Sequence, residues 1–314
     1  MAEDADAASS QVLRVWTASG KELAALPVEE FGTVKALKRH LQSLCGLPRF
    51  QQRLLHEGTD LDDDFRFAGS LNLQLVLLTL SDSFPDCVAL QRCCYEGSAA
   101  EAERILKIPQ DPNCQAPGSL GGPLDAAACA GRLETMRLLL EARADMEHRG
   151  VFGETPLSVA CAMGQLSAAK ILVAEGANME VKRVGGQTPL WAACQNGRVS
   201  IIRMLLKARA HIDALDDLGM TPLATACHWG RPRAARLLLQ ARADKELADT
   251  SGTTPLGTAC RCGQLPIVHL LLEALANAAA RDNLGRTCLK LASGSHGLAI
   301  RYLISTRKWS RRLQ

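Results

Sequence analysis

GMTPLATACHWGRPRAARLLLQARAD, residues 219–244, carries the pattern that decides the fold. A Thr-Pro pair, Thr221 and Pro222, opens a run of small and apolar residues that Gly230 interrupts, and a leucine-rich segment follows. Proline at the first helical position forfeits no hydrogen bond, and the threonine before it can cap the helix. Gly230 stands where the chain needs a positive φ to leave that helix. Leu237 and Leu238 are then placed for burial on one face of a second helix. The stretch predicts a pair of short helices.

The pattern recurs on both sides. GGPLDAAACAGRLETMRLLLEARAD (121–145), GETPLSVACAMGQLSAAKILVAEGAN (153–178), GQTPLWAACQNGRVSIIRMLLKARAH (186–211) and GTTPLGTACRCGQLPIVHLLLEALAN (252–277) align with it. Their prolines, Pro123, Pro156, Pro189, Pro222 and Pro255, are 33 residues apart, and Cys288 takes the place of the next. Thr155, Thr188 and Thr254 repeat the cap, Gly164, Gly197 and Gly263 repeat the stop, and Leu205, Leu206, Leu271 and Leu272 repeat the buried face. One such unit cannot bury both its faces, so neighbours must stack.

At this spacing the array resembles the ankyrin family. VALQRCCYEGSAAEAERILKIPQDPNC (88–114) is similar to a divergent first unit, with Gly97 as the helix break and Asp111-Pro112-Asn113 as the loop entry, and TCLKLASGSHGLAIRYLI (287–304) to a terminal one. Seven helix pairs are expected over about 86–305.

The first 80 residues follow a different period. VLRVWTASGKELAALPV (12–28) predicts two strands about a glycine turn, with Leu13 and Val15 alternating against Arg14 and Trp16. Thr33 is an N-cap, and Val34, Leu37, Leu41 and Leu44 are expected on one face of a helix ending at Gly46. A closing strand puts Leu73, Leu75 and Leu77 on one side. GLPRFQQRLLHEGTDLDDD (46–64) resembles the ubiquitin family in its Gly-apolar-Pro, Gln-Gln-Arg-Leu and Gly elements. The expected fold is thus an N-terminal α+β ubiquitin-like β-grasp followed by an all-α ankyrin-repeat solenoid. Its expected layout is a disordered tail at 1–10, the ubiquitin-like domain at 11–80, a linker at 81–85, ankyrin repeats at 86–305 and a basic tail at 306–314.

Composition narrows the function classes. With 47% hydrophobic and 22% charged residues in 314, the chain reads as globular. A net charge of +3 is too small to argue for nucleic acid. The opening MAEDADAASSQ is acidic and lacks an apolar export core, and the longest apolar run, LQLVLLTL (73–80), falls far below the roughly 20 residues of a membrane span. Twelve cysteines without an export signal suggest reduced thiols and a cytoplasmic or nuclear setting.

Cys161, Cys194, Cys227 and Cys260 each fall five residues after a repeat proline, where the ankyrin pattern carries a small buried residue. Cysteine serves there as a small apolar filler. The pairs at 93–94 and 260–262 lack the companions a zinc site needs. Phosphate-loop, HExxH and GxSxG signatures are absent. No cofactor, metal or catalytic residue is expected, and a thiol or metal enzyme is the disfavoured reading.

The ankyrin resemblance implies a binding scaffold whose loop tips and first helices form a concave face. Its variable positions hold Phe152, Glu154, Met163, Gln187, Gln195, Asn196, Asp217, Leu218, Met220, His228, Trp229 and Arg261 here. Several are large and apolar, as partner sites tend to be. Trp229 is expected in solvent as the anchor, unless Arg233 or a neighbouring repeat covers its ring. The family's usual histidine after Thr-Pro-Leu is replaced by Ser158, Trp191, Ala224 and Gly257. Trp191 therefore either extends the binding face or reflects looser repeat packing. The ubiquitin resemblance implies an apolar patch at Leu55 and Val76, which Trp16, on an outward strand position, extends; the patch either docks to receptors of the ubiquitin system or packs on the first repeat. An adaptor between protein partners is the expected function. A purely structural scaffold, with the N-terminal unit as a cap, is the alternative.

Overall fold

The computed structural model describes residues 11–80, 84–108, 110–292 and 297–310, without the side chains of 84, 85 and 305–310. The expected tail at 1–10, linker residues 81–83 and residues 311–314 lie outside the described residues.

Strands β1 (Val12–Thr17) and β2 (Glu22–Pro27) form an antiparallel hairpin, and helix α1 (Val34–Cys45) follows. Strands β3 (Gln52–His56), β4 (Thr59–Asp60) and β5 (Leu71–Leu77) complete a mixed sheet of order β2-β1-β5-β3-β4, in which β1 and β5 run parallel. Thr33 caps α1 by accepting from the Ala36 amide at 3.3 Å, and Gly46 ends the helix in the left-handed region. Val34, Leu37 and Leu41 are fully buried against Leu13, Val15, Leu54 and Leu73. Leu44 and Leu77 differ from expectation, being about half exposed. Leu44 sits in the last turn of α1, where Cys45, four residues after Leu41, fills the core in its place.

Seven helix pairs follow among the described residues. They are α2 (Phe84–Glu96) with α3 (Ala99–Lys107), α4 (Pro123–Ala130) with α5 (Leu133–Glu141), and α6 (Pro156–Met163) with α7 (Leu166–Ala174). Next come α8 (Pro189–Gln195) with α9 (Val199–Lys207), α10 (Pro222–His228) with α11 (Pro232–Gln240), α12 (Pro255–Arg261) with α13 (Leu265–Glu273), and α14 (Cys288–Leu291) with α15 (Gly297–Ser310). Helix α2 starts inside the expected linker, with Pro85 tolerated in its first turn. Helix α15 runs past the expected end at 305, because the chain there offers no glycine or proline to stop it.

The repeat prolines each begin a helix. Thr155, Thr188, Thr221 and Thr254 accept the amide three residues on, at 3.0–3.3 Å. Leucines 205, 238, 271 and 272 are buried, whereas Leu206 and Leu237 are only half-buried on the outer helices.

Two ladders of hydrogen bonds tie each unit to the one before it. The residue after each helix-ending glycine folds back over the preceding unit. Arg132, Gln165, Arg198 and Arg231 donate to the carbonyls of Tyr95, Cys129, Ala162 and Gln195 at 2.9–3.2 Å. At the loop tips, the amides of Val184, Asp217, Thr250 and Asn283 donate to Phe152, Gly185, Leu218 and Ser251 of the previous unit at 2.9–3.0 Å. These bonds hold the loop tips in one row.

Candidate partner-binding face

That row and the C-terminal ends of the first helices carry the expected face. Met163, Asn196, Trp229 and Cys262 occupy the same position in successive units, just before the helix-ending glycine. Phe152 and Leu218 project from loop tips two units apart. Phe152, Met163, Leu218 and Trp229 are each about half exposed or more, and Asp217, His228 and Arg261 are exposed beside them. The Trp229 ring meets His228 edge-on, with centroids 5.5 Å apart, and no guanidinium covers it among the described ring contacts. His228 Nδ1 lies 3.6 Å from Cys262 Sγ, which ties the exposed end of α10 to that of α12.

Other expected positions are occupied by internal bonding. Glu154 accepts from the Phe152 amide at 3.1 Å, Gln187 accepts from Arg183, and Asn196 donates to the Ala192 carbonyl at 3.0 Å. Gln195 is half-buried, its carbonyl taken by Arg231, and Met220 is half-buried with its amide on Asp216. These residues brace the face.

Trp191 corrects the sharper expectation. It is only 5% exposed, with the Arg183 guanidinium 5.9 Å above its ring. Ser158, Ala224 and Gly257, the equivalent residues in other units, are buried too. This position faces the seam between repeats, so a tryptophan there packs and is withheld from the face.

A family model described as ankyrin repeats (3 copies) matches residues 90–183, 175–249 and 241–311. The chain belongs to the ankyrin-repeat family. It is similar to the ankyrin repeat domain of human ASB11, at 26% identity and a TM-score of 0.61, covering 68% of this chain and 96% of that one. The ankyrin repeat domain of Bcl-3, described as a unique member of the IkappaB family, shares the fold at 23% identity and a TM-score of 0.60, covering 68% and 97%. No curated protein matches the chain in sequence. Ankyrin stacks typically bind proteins, and the family assignment supports protein partners for this one.

The ankyrin cysteines are packing groups. Cys161, Cys194, Cys227 and Cys260 are fully buried. Burial pushes the Cys161 thiol up to about 12 and raises those of Cys194 and Cys227 as well. A hydrogen bond with Cys288, then burial, raises that of Cys260. Thiols so protonated are poor nucleophiles and metal ligands. Among the described residues, no three His, Cys, Asp or Glu side chains gather to hold a metal ion, and no helix is long and apolar enough to cross a membrane.

A buried charge network that sequence reasoning missed joins the N-terminal unit to the first ankyrin units. Arg49 has no exposed side-chain surface. It donates from Nη1 to Asp63 at 2.6 Å, from Nη2 to Glu103 on α3 at 2.7 Å, and from Nε to Glu141 on α5 at 2.7 Å. Lys35 reaches Glu103 at 3.0 Å, Lys38 reaches Asp63 at 2.9 Å, and Arg39 grips both oxygens of Glu141. Phe50, under the Arg49 guanidinium at 3.9 Å, joins the core of the ankyrin stack.

The opposite face of the sheet stays in solvent. Trp16 pairs with Gln74, and Gln74 with Leu55, so the three cross β1, β5 and β3 in one row, and Val76 lies two residues along β5. Trp16 and Leu55 line a shallow groove, and both, like Val76, are half-exposed. Packing on the first repeat falls instead to α1 and the turn carrying Arg49 and Phe50.

The carboxylates of this interface predict a dependence on pH. Burial pushes the Glu103 and Glu141 carboxyls up. Hydrogen bonds from Lys35 and Arg49 to the first, and from Arg39 and Arg49 to the second, outweigh burial and hold both below the usual carboxylate range. Their stabilisation is therefore complete above the unfolded carboxyl value, about 4.3, and is lost as pH falls through the lower folded values. The unfolding temperature is expected to hold down to about pH 5 and drop below it, less steeply in a Glu103→Gln/Glu141→Gln double variant. An equal drop in that variant would assign the acid sensitivity to other carboxylates.

Proposed function

We propose that the protein is a noncatalytic adaptor. Its ankyrin face binds a protein partner, with Trp229 as the anchor. The supporting observation is that a tryptophan about half exposed at a helix end, with Met163, Leu218 and Phe152 along the same side of the stack, leaves apolar surface in water. Truncating such a residue once a partner has desolvated it commonly costs at least about 2 kcal/mol. Trp229→Ala is expected to weaken capture of the main ankyrin partner at least tenfold, within the roughly thirtyfold to which that energy corresponds, while leaving thermal unfolding nearly unchanged. Normal binding by the variant, or loss of binding only through unfolding, would remove Trp229 from the site.

The N-terminal unit, in this reading, is a ubiquitin-like module that docks to ubiquitin-recognising machinery through Trp16, Leu55 and Val76. Support comes from the residues of its 46–64 stretch, its strand order and the solvent-facing groove at Trp16 and Leu55. NMR titration of the full chain with ubiquitin receptors is expected to perturb Trp16, Leu55 and Val76. Silence there would leave the unit as a structural cap, a role the Arg49 network independently favours.

A further inference from the structure

The 33-residue register also places one residue at the same point of each outer helix. It is Arg104 on α3, Arg137 on α5, Lys170 on α7, Arg203 on α9, Arg236 on α11 and His269 on α13. At the first two rungs the charge is neutralised within the helix, Arg104 by Glu101 and Arg137 by Glu134, and at the last His269 faces Glu273. In α7, α9 and α11 the residue three earlier is Ser167, Ser200 or Arg233. Among the described residues, Lys170, Arg203, Arg233 and Arg236 have no carboxylate partner, and all four are exposed. A chain of net charge only +3 thus keeps a block of unneutralised cations in the middle of its convex side.

The three arginines among them rim a trough. Between α9 and α11 runs a groove of about 540 Å³, lined by Arg203, Arg233 and Arg236 together with Val199, Pro232 and Leu237. It continues past Leu206 and Lys207 through a second hollow that shares Arg203 and Leu237. The half-burial of Leu206 and Leu237, unexpected from the repeat pattern, is what gives the trough an apolar floor. No acidic residue occurs in the sequence of α9 or α11.

We infer that this convex groove is a second docking site, and that its occupant is an acidic protein segment that interleaves carboxylates with apolar side chains. Arginine forks along the rim match carboxylates in bidentate geometry. The floor of leucine, valine and proline requires apolar side chains to fill it. A nucleic acid backbone would satisfy the rim and leave that floor empty, so charge and shape together favour protein. Trp229, at the end of α10, is not among the residues that line the groove, so the site stands whether or not the adaptor reading holds.

The test uses the full chain and three fluorescent probes: a short peptide of glutamate and leucine, the same peptide with serine for leucine, and a single-stranded oligonucleotide of equal charge. The leucine peptide is expected to bind tightest, to weaken with added salt, and to lose at least about tenfold in affinity in an Arg203→Glu/Arg236→Glu double variant. Arg137→Glu, the same rung outside the groove, and Trp229→Ala are expected to bind it normally. All the substituted positions are exposed, and circular dichroism reports the fold; an Arg233→Ser variant, which removes one rim charge without reversal, is expected to weaken binding to a lesser degree. Undiminished binding by the double and Arg233→Ser variants would overturn the inference. Equal binding of the serine peptide, or tighter binding of the oligonucleotide, would overturn its choice of occupant.

Discussion

Replacing Arg49 with alanine is expected to destabilise the protein by about 3–5 kcal/mol, the cost of breaking a buried ionic network by removing one partner. Its guanidinium bonds three carboxylates at once, so the variant strands Asp63, Glu103 and Glu141 with fewer cations among them. Arg49→Lys is expected to recover little, because an ammonium on a single stem cannot reproduce a fork that reaches three acceptors. The N-terminal unit should also uncouple from the repeats, since Phe50 loses the cation above its ring as well. Urea unfolding checks both effects, with Trp16, the N-terminal unit's own tryptophan, as one probe and backbone circular dichroism as the other. Two separate transitions are expected where the wild type shows one. A loss below about 1 kcal/mol, in the range of exposed ion pairs, would mean the network does not form in solution.

Cys227→Asp is expected to be more damaging still, on the order of 5 kcal/mol or more, because it puts a carboxylate where no water and no cation reaches. Cys227 is fully buried in a seam between α8, α10 and α12, and its neighbours in the cysteine ladder are equally enclosed. Stacked repeats lean on their neighbours, so the damage should spread to the adjoining units, as read by hydrogen exchange over α8 to α13. Cys227→Ala, by contrast, should change stability by about 1 kcal/mol or less, as little volume is removed. Aspartate tolerated within that same margin would mean that the seam is open to water, and alanine as harmful as aspartate would mean that the cysteine is more than a packing group.

What was legible in the sequence is what local chemistry dictates. Thr221 and Pro222 set a helix start, and Gly230 a stop, by interactions within a few residues, and a fixed period repeats them until the stack is the only way to bury the leucines. Cys227 was readable for the same reason, since its place in the period fixes its surroundings. Trp191 was not, because whether a side chain at that rung faces the seam or the concavity depends on how neighbouring units are offset. Leu44 and Leu237 show the same limit in milder form: a helical face gives the direction of a side chain but not the extent of what covers it. Arg49 was illegible altogether. Its three acceptors lie 14, 54 and 92 residues away, and nothing in an Arg-Phe pair announces that two units will close over it. The back-folded Arg132, Gln165, Arg198 and Arg231 lie between these cases, being periodic but of mixed residue type.

The adaptor reading rests on the ankyrin face being the surface a partner covers. Hydroxyl-radical footprinting of the full chain, alone and saturated with its captured ankyrin partner, measures that directly, since Trp229 and Met163 are both oxidisable and both about half exposed. Partner binding is expected to suppress oxidation strongly at Trp229 and Met163 while leaving buried Trp191 unchanged. Unaltered oxidation of Trp229 and Met163 in the saturated complex would contradict the adaptor reading.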